Sequence, residues 1–196
     1  MRRSSLEKTT GEAPSGESAA DARLVACARD GDREAFGRLH DLYARMVHGI
    51  LLARVPSRDA DDLVQDVFLL AMTKIRSLRV GTSFGAWIAA IARNRAADHC
   101  RFRGRAPRTA AELPDEVPTD SPPSAEAAEA LDAVRSLPEA YRETLVLRLV
   151  EGMTGPEIAE RTGLTAASVR VNLCRGMKLL RSKLGLPEDA GEGGVA

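Results

Sequence analysis

Aromatic side chains are scarce in this 196-residue sequence, at 4%. The core therefore falls to Leu, Val, Ile and Ala, which favours packed helices over a β-sandwich and predicts an all-α protein. The three cysteines, Cys27, Cys100 and Cys174, lie far apart without C-x-x-C spacing. They signal neither a disulfide framework nor a zinc site, and read instead as small apolar residues of the interior. No apolar run approaches the ~20 residues of a membrane span, and "MRRSSLEKTTGEAPSGESAA" has no hydrophobic stretch to act as a signal peptide. A cytoplasmic protein without membrane insertion is expected. His40, His48 and His99 are the only histidines, and no Gly-rich phosphate loop or spaced acid pair accompanies them. The sequence therefore predicts no enzyme activity, no metal and no cofactor. Adjacent His99 and Cys100 have no third ligand at helical spacing.

Net charge is also absent: 28 Lys and Arg balance 28 Asp and Glu. The distribution is less even than the total. Between Ala92 and Arg108 stand six arginines (93, 95, 101, 103, 105 and 108) and one acid, Asp98. Seven acids and no base follow from Thr109 to Val134, and five bases with no acid run from Arg170 to Lys183. Two basic patches separated by an acidic spacer suit a nucleic-acid partner that the neutral total conceals.

Residues 1–20 are rich in Ser, Gly, Glu and Thr and read as a disordered tail. A first domain is expected over 21–103, built of four helices. Asp21 is a plausible N-cap for the first, with Leu24, Val25 and Ala28 as its apolar stripe. A long helix over 33–55 carries Phe36, Leu39, Leu42, Tyr43, Met46, Val47 and Ile50 at spacings of three and four, and ends at Pro56. The third, over 57–78, opens with Asp59, Asp61, Asp62 and Asp66 near the positive end of its dipole. The fourth follows a Gly and Ser loop and becomes Arg-rich in its C-terminal half, with Trp87 in its apolar part. Residues 104–125 hold five of the ten prolines and read as a flexible, acidic linker. A second helical domain is expected over 126–185, before a short tail at 186–196.

"TGPEIAERTGLTAASVRVNLCRGMKLLRSKL" (154–184) carries the most specific local signal. Thr154 and Glu157 make a capping box, Gly163 supplies a bend, and Ile158, Leu164 and Val169 fill the gap between two helices. This is the spacing of a helix-turn-helix. Thr165 is the expected cap of the second helix, whose Val169, Leu173, Leu180 and Leu184 face inward. Ser168, Arg170, Val171, Asn172, Cys174, Arg175 and Lys178 are left as groove or backbone candidates, with Arg148 on a preceding helix. Arg and Asn can read guanine and adenine edges, while Lys and remoter Arg neutralise phosphate. In the first domain, Asp62, Gln65 and Asp66 share one side of a helix at i, i+3 and i+4, which suits charge-assisted hydrogen bonds to a basic partner.

Four stretches in order resemble the sigma-70 family of initiation factors, in its compact extracytoplasmic-function (ECF) group. "DADDLVQDVFLLAM" resembles the polymerase-binding helix and "FGAWIAAIARNRAADHCRFRGR" the melting and −10 helix. "LPEAYRETLVLRLVEGMTGPEIAE" resembles the entry to region 4, and "TAASVRVNLCRGMKLLRSKL" its −35 recognition helix. The resemblance implies a region 2-like domain and a region 4-like domain. It also implies that Asp62, Gln65, Asp66 and Met72 meet the β′ clamp helices of core RNA polymerase. Phe84, Arg93, Asn94, Arg101 and Arg103 would then serve the single strand of melted promoter DNA. Asn172, Met177 and Val171 depart from residues common in the family's recognition helix, so the upstream box cannot be carried over from relatives. An operator-binding regulator with the same helix-turn-helix is the rival reading.

An acidic, proline-rich linker imposes no fixed geometry. On sequence alone, neither DNA-facing surface is hidden by the chain's own fold, and inhibition is left to a partner of the anti-sigma class.

Overall fold

A computed structural model describes residues 19–78, 83–105 and 125–186. It holds α1 (Ala19–Arg29), α2 (Arg33–Leu52), α3 (Ser57–Lys74, continued by a 3-10 turn), α4 (Phe84–Arg105), α5 (Ala125–Arg135), α6 (Glu139–Leu149), α7 (Gly155–Thr162) and α8 (Ala166–Lys183), and no strand among the described residues. Most of the expected linker and tails, with residues 79–82 of the loop before α4, lie outside the described residues.

α2 is the axis of the first domain. Asp32 caps it, its Oδ1 accepting from the amides of Glu34 at 2.8 Å and Ala35 at 3.1 Å, which satisfies two of the donors a helix start leaves open. Its stripe of Leu39, Tyr43, Met46, Val47 and Ile50 is buried against α1, α3 and α4. Leu42, expected in that stripe, is exposed, since a helix turns about 100° per residue and Tyr43 takes the inward position. The second domain packs α6 against α8, with α7 and α5 closing its sides.

The two domains are not independent bodies. α6 and α7 lie directly on α2 and α4, a fixed seat that the linker's composition does not foretell. The cause lies in α6, where five successive residues, Glu143 to Leu147, are buried. A helix covered all round must be sandwiched. Leu145 fills the slot at Gly176 of α8, and Leu147 lies where a Cβ on Gly49 of α2 would come within 2.7 Å of it.

Two inward expectations fail. Cys27, Cys100 and Cys174 are all exposed, on helix faces that no neighbouring element covers. Leu184 is exposed at the end of α8. Trp87, partly buried, packs against the core with its ring 5.6 Å from that of Phe84.

Candidate polymerase and nucleic-acid interfaces

On α3 the buried stripe of Ala60, Leu63, Val67, Phe68 and Ala71 turns the opposite side outward. Asp62, Gln65 and Met72 are exposed there. Asp66 is less free, because its carboxylate is paired with Arg95 of α4. Leu69, 64% exposed, completes the row, and the charge pattern of α3 does not point to it. Its position three residues past Asp66 and three before Met72 is the signal that does. The face thus combines acceptors with an apolar end, suited to a partner helix that is basic and partly apolar.

α4 begins behind Ser83, whose carbonyl accepts from the Trp87 amide at 3.0 Å. Phe84 does not reach the surface. It is 0% exposed and packs edge-on to Tyr43 with ring centres 5.2 Å apart, because the first turn of α4 plugs the core under α2. Its expected strand contact is therefore corrected to a structural role. Four arginines of this helix are each paired. Arg93 grips Glu143 of α6 through Nε at 3.0 Å and Nη2 at 2.6 Å. Arg95 holds Asp66, Arg101 holds Asp98, and Arg103 donates to Asp59 at 2.5 Å. Asn94 is exposed. Phe102, 77% exposed between two arginines, is an aromatic among cations that counting charge overlooks.

The helix-turn-helix forms from its local code. The Thr154 Oγ1 accepts from the Glu157 amide at 3.4 Å, and the Glu157 carboxylate accepts from the Thr154 amide at 2.7 Å. That backbone bond, with one from the Thr154 hydroxyl, holds the Glu157 carboxyl below its ordinary value. Gly163 ends α7 in the left-handed region at φ 75°, where a Cβ would be strained. Thr165 caps α8 by accepting from the Ser168 amide at 3.1 Å, and its hydroxyl also meets that of Ser168 at 2.8 Å. Val169 locks α8 into the core. Ser168, Arg170, Val171, Cys174, Arg175 and Lys178 are exposed, and Asn172 is half-buried. Arg170 and Arg175 make no ion pair among the described residues. Arg148 is exposed but donates to the Met153 carbonyl at 3.2 Å, bracing the turn into α7.

The chain is similar in sequence and fold to known proteins. The models of "Sigma-70 region 2" and "Sigma-70, region 4" match residues 39–106 and 127–180. The ECF RNA polymerase sigma factor BldN of Streptomyces coelicolor is 33% identical over 187 residues, covering 91% of this chain and 70% of that protein. The chain belongs to the ECF group of the sigma-70 family. The ECF RNA polymerase sigma-E factor of Haemophilus influenzae is 28% identical over 183 residues, covering 86% of this chain and 97% of that one. Among solved structures, that of CnrH in complex with the cytosolic domain of CnrY aligns at a TM-score of 0.58 and 29% identity, over 85% of this chain and 97% of that one.

In this sigma factor the region 2 match contains the α3 face and all of α4, and the region 4 match contains α6, α7 and nearly all of α8. Two charge clusters join the regions. Burial alone would push the Glu143 carboxyl up, but the hydrogen bonds and charges of Arg93 and Arg54 outweigh it and hold it below its ordinary value. Arg54 reaches Glu143 at 2.9 Å and Glu139 at 3.1 Å. His48 Nδ1 lies 2.6 Å from Glu151; that hydrogen bond raises the imidazole above 6.5, against the opposing effect of burial and with help from Asp61.

Proposed function

We propose that this ECF sigma factor divides promoter recognition between its two domains while α3 holds core RNA polymerase. The outward row of Asp62, Gln65, Asp66 and Met72 meets the β′ clamp helices. Asn94, with Arg93, Arg101 and Arg103, tracks the melted strand, whose phosphates replace carboxylates as partners of the arginines. α8 enters the −35 duplex with Arg170, Val171, Asn172, Cys174, Arg175 and Lys178, while Ser168 serves near the helix start. Arg148 reaches the flanking backbone. The protein acts in the cytoplasm as a non-catalytic initiation factor, without a metal or cofactor of its own. A protein antagonist of the anti-sigma class is a further partner, in keeping with the solved complex of CnrH with CnrY.

The observation that carries this reading is the acid-free outer face of α8, set on a fully capped helix-turn-helix in a chain that also offers the α3 row. Reconstituting core polymerase with the purified chain and running off transcripts from a genomic library tests it. Promoter-specific transcripts are expected. A chain that instead binds duplex DNA alone as a dimer, and yields no such transcript, is an operator-binding regulator.

A further inference from the structure

The last two turns of α4 hold a side chain that neither the core nor the charge pattern accounts for. Phe102 is 77% exposed, and among the described residues it is the one exposed large apolar side chain of that helix. A ring left in water forgoes the burial that a phenylalanine normally gains. Its neighbours on the helix are polar. Arg101 and Arg103 flank it in sequence, so their stems leave the helix about 100° to either side of it, and Asp98 stands one turn before it. An isolated ring among charges is a poor seat for an apolar protein partner, which needs a contiguous apolar patch. It suits a ligand that is flat and anionic at once.

A nucleotide of a single strand has both properties, a base whose face is open for stacking and a phosphate for a guanidinium. The two arginines are already held near the ring, Arg101 by Asp98 and Arg103 by Asp59 at 2.5 Å, with His99 on the same Asp59 oxygen at 3.2 Å. The Arg101–Asp98 pair is open to water, its side chains being 68% and 53% exposed, so exchanging that carboxylate for a phosphate costs little. Duplex DNA offers no such fit, because its base faces are covered by their neighbours in the stack. Asn94, also exposed, lies eight residues earlier on the same helix, about 12 Å along the axis. At the 3.4 Å rise of a stacked strand, that spans roughly three to four nucleotides.

We propose that Phe102 is a further strand-binding residue, a platform on which one base of the melted promoter strand stacks while Arg101 and Arg103 take the flanking phosphates. The inference rests on the reading of α4 as the strand-binding helix, and it extends that track beyond Asn94 to the C-terminal end of the helix. Every base has a face to stack, so the ring adds affinity and fixes position without choosing among the four bases.

The test uses holoenzyme reconstituted from core polymerase and the full chain, with binding by core alone subtracted. Its two fluorescent probes are an oligothymidylate and an abasic strand of the same length and charge. Phe102→Ala should weaken oligothymidylate binding about tenfold, the effect of losing one stacked base, and leave abasic binding unchanged. Phe102→Trp should restore the parent affinity, because another broad ring serves the stack. The free Phe102→Ala chain should melt no lower than its parent, since an exposed ring contributes little to the fold. Parent affinity for oligothymidylate in Phe102→Ala overturns the platform, and so does an equal loss on both strands. A lower melting temperature also overturns it, by showing that the chain itself covers the ring. Arg101→Ala with Asn94→Ala tests the reading beneath the proposal and should weaken oligothymidylate binding. If parent holoenzyme binds the strand no better than core alone, α4 is removed from the strand and the platform goes with it.

Discussion

The basic end of α4 and the outer face of α8 look alike as sequence, yet they are in opposite states. On α4, Arg93, Arg95, Arg101 and Arg103 each have a carboxylate partner, from α6, α3, α4 itself and α3 respectively. On α8, Arg170 and Arg175 have none among the described residues, and no acid lies on that helix. A paired guanidinium must exchange one anion for another before it holds DNA, and the net gain is small. An unpaired one exchanges only water and counterions. The first surface is therefore conditional on rearrangement and the second is ready.

The largest test of that contrast lies on the first domain's α3. There Gln65→Ala with Asp66→Ala should weaken core polymerase binding about a hundredfold, at roughly 1.5 kcal/mol for each charge-assisted hydrogen bond. The measurement is affinity for core enzyme with a folded variant, and an unchanged value removes α3 from the contact. Next in size, Arg170→Ala with Arg175→Ala should cut duplex affinity about tenfold. Each phosphate that is no longer neutralised should make the slope of log affinity against log salt shallower by roughly 0.9. Anisotropy titrations across a salt series give both quantities. A slope that does not move would assign these arginines to base edges.

Asn94→Ala sharpens the comparison from the other side. It should leave duplex binding alone and slow open-complex formation about fivefold, the effect of one hydrogen bond. Normal permanganate reactivity in that variant would move the strand role elsewhere on α4. The smallest effect is one of pH. The raised His48 contributes fully to stability below its unfolded value of 6.5 and loses its contribution as pH rises through the folded one. The depressed Glu143 acts oppositely, contributing above 4.5 and failing as pH falls through its folded value. The melting temperature should therefore fall by about 2 °C as pH rises through the His48 titration. In His48→Gln that fall should vanish.

How much of the fold and the site is legible in the sequence depends on range. The caps at Asp32, Thr154 and Thr165, and the left-handed Gly163, form within a few residues of themselves. Burial of Leu39, Met46 and Ile50 follows from one helical period. Phe84 is misplaced by its sequence because an aromatic at the start of a helix looks alike whether it plugs a core or meets a base. The cysteines are misplaced because residue type alone does not say which face of a helix is covered. Leu69 and Phe102 are hidden because charge draws attention to their neighbours.

The sequence by itself determined the helices, their caps, the helix-turn-helix and the acid-free face of α8, since each depends on contacts spanning a turn or two of chain. It also carried, unread, the clue to the domain seat: the run "ETLVL" of α6, apolar on too many sides for a helix with one neighbour. Only the tertiary structure decided which carboxylate each arginine meets. Arg93 and Glu143 are 50 residues apart and His48 and Glu151 103 apart. Pairing at that range is fixed by how α6 settles between α2 and α8, where buried charge must find a partner and the lack of a side chain at Gly49 and Gly85 allows the approach.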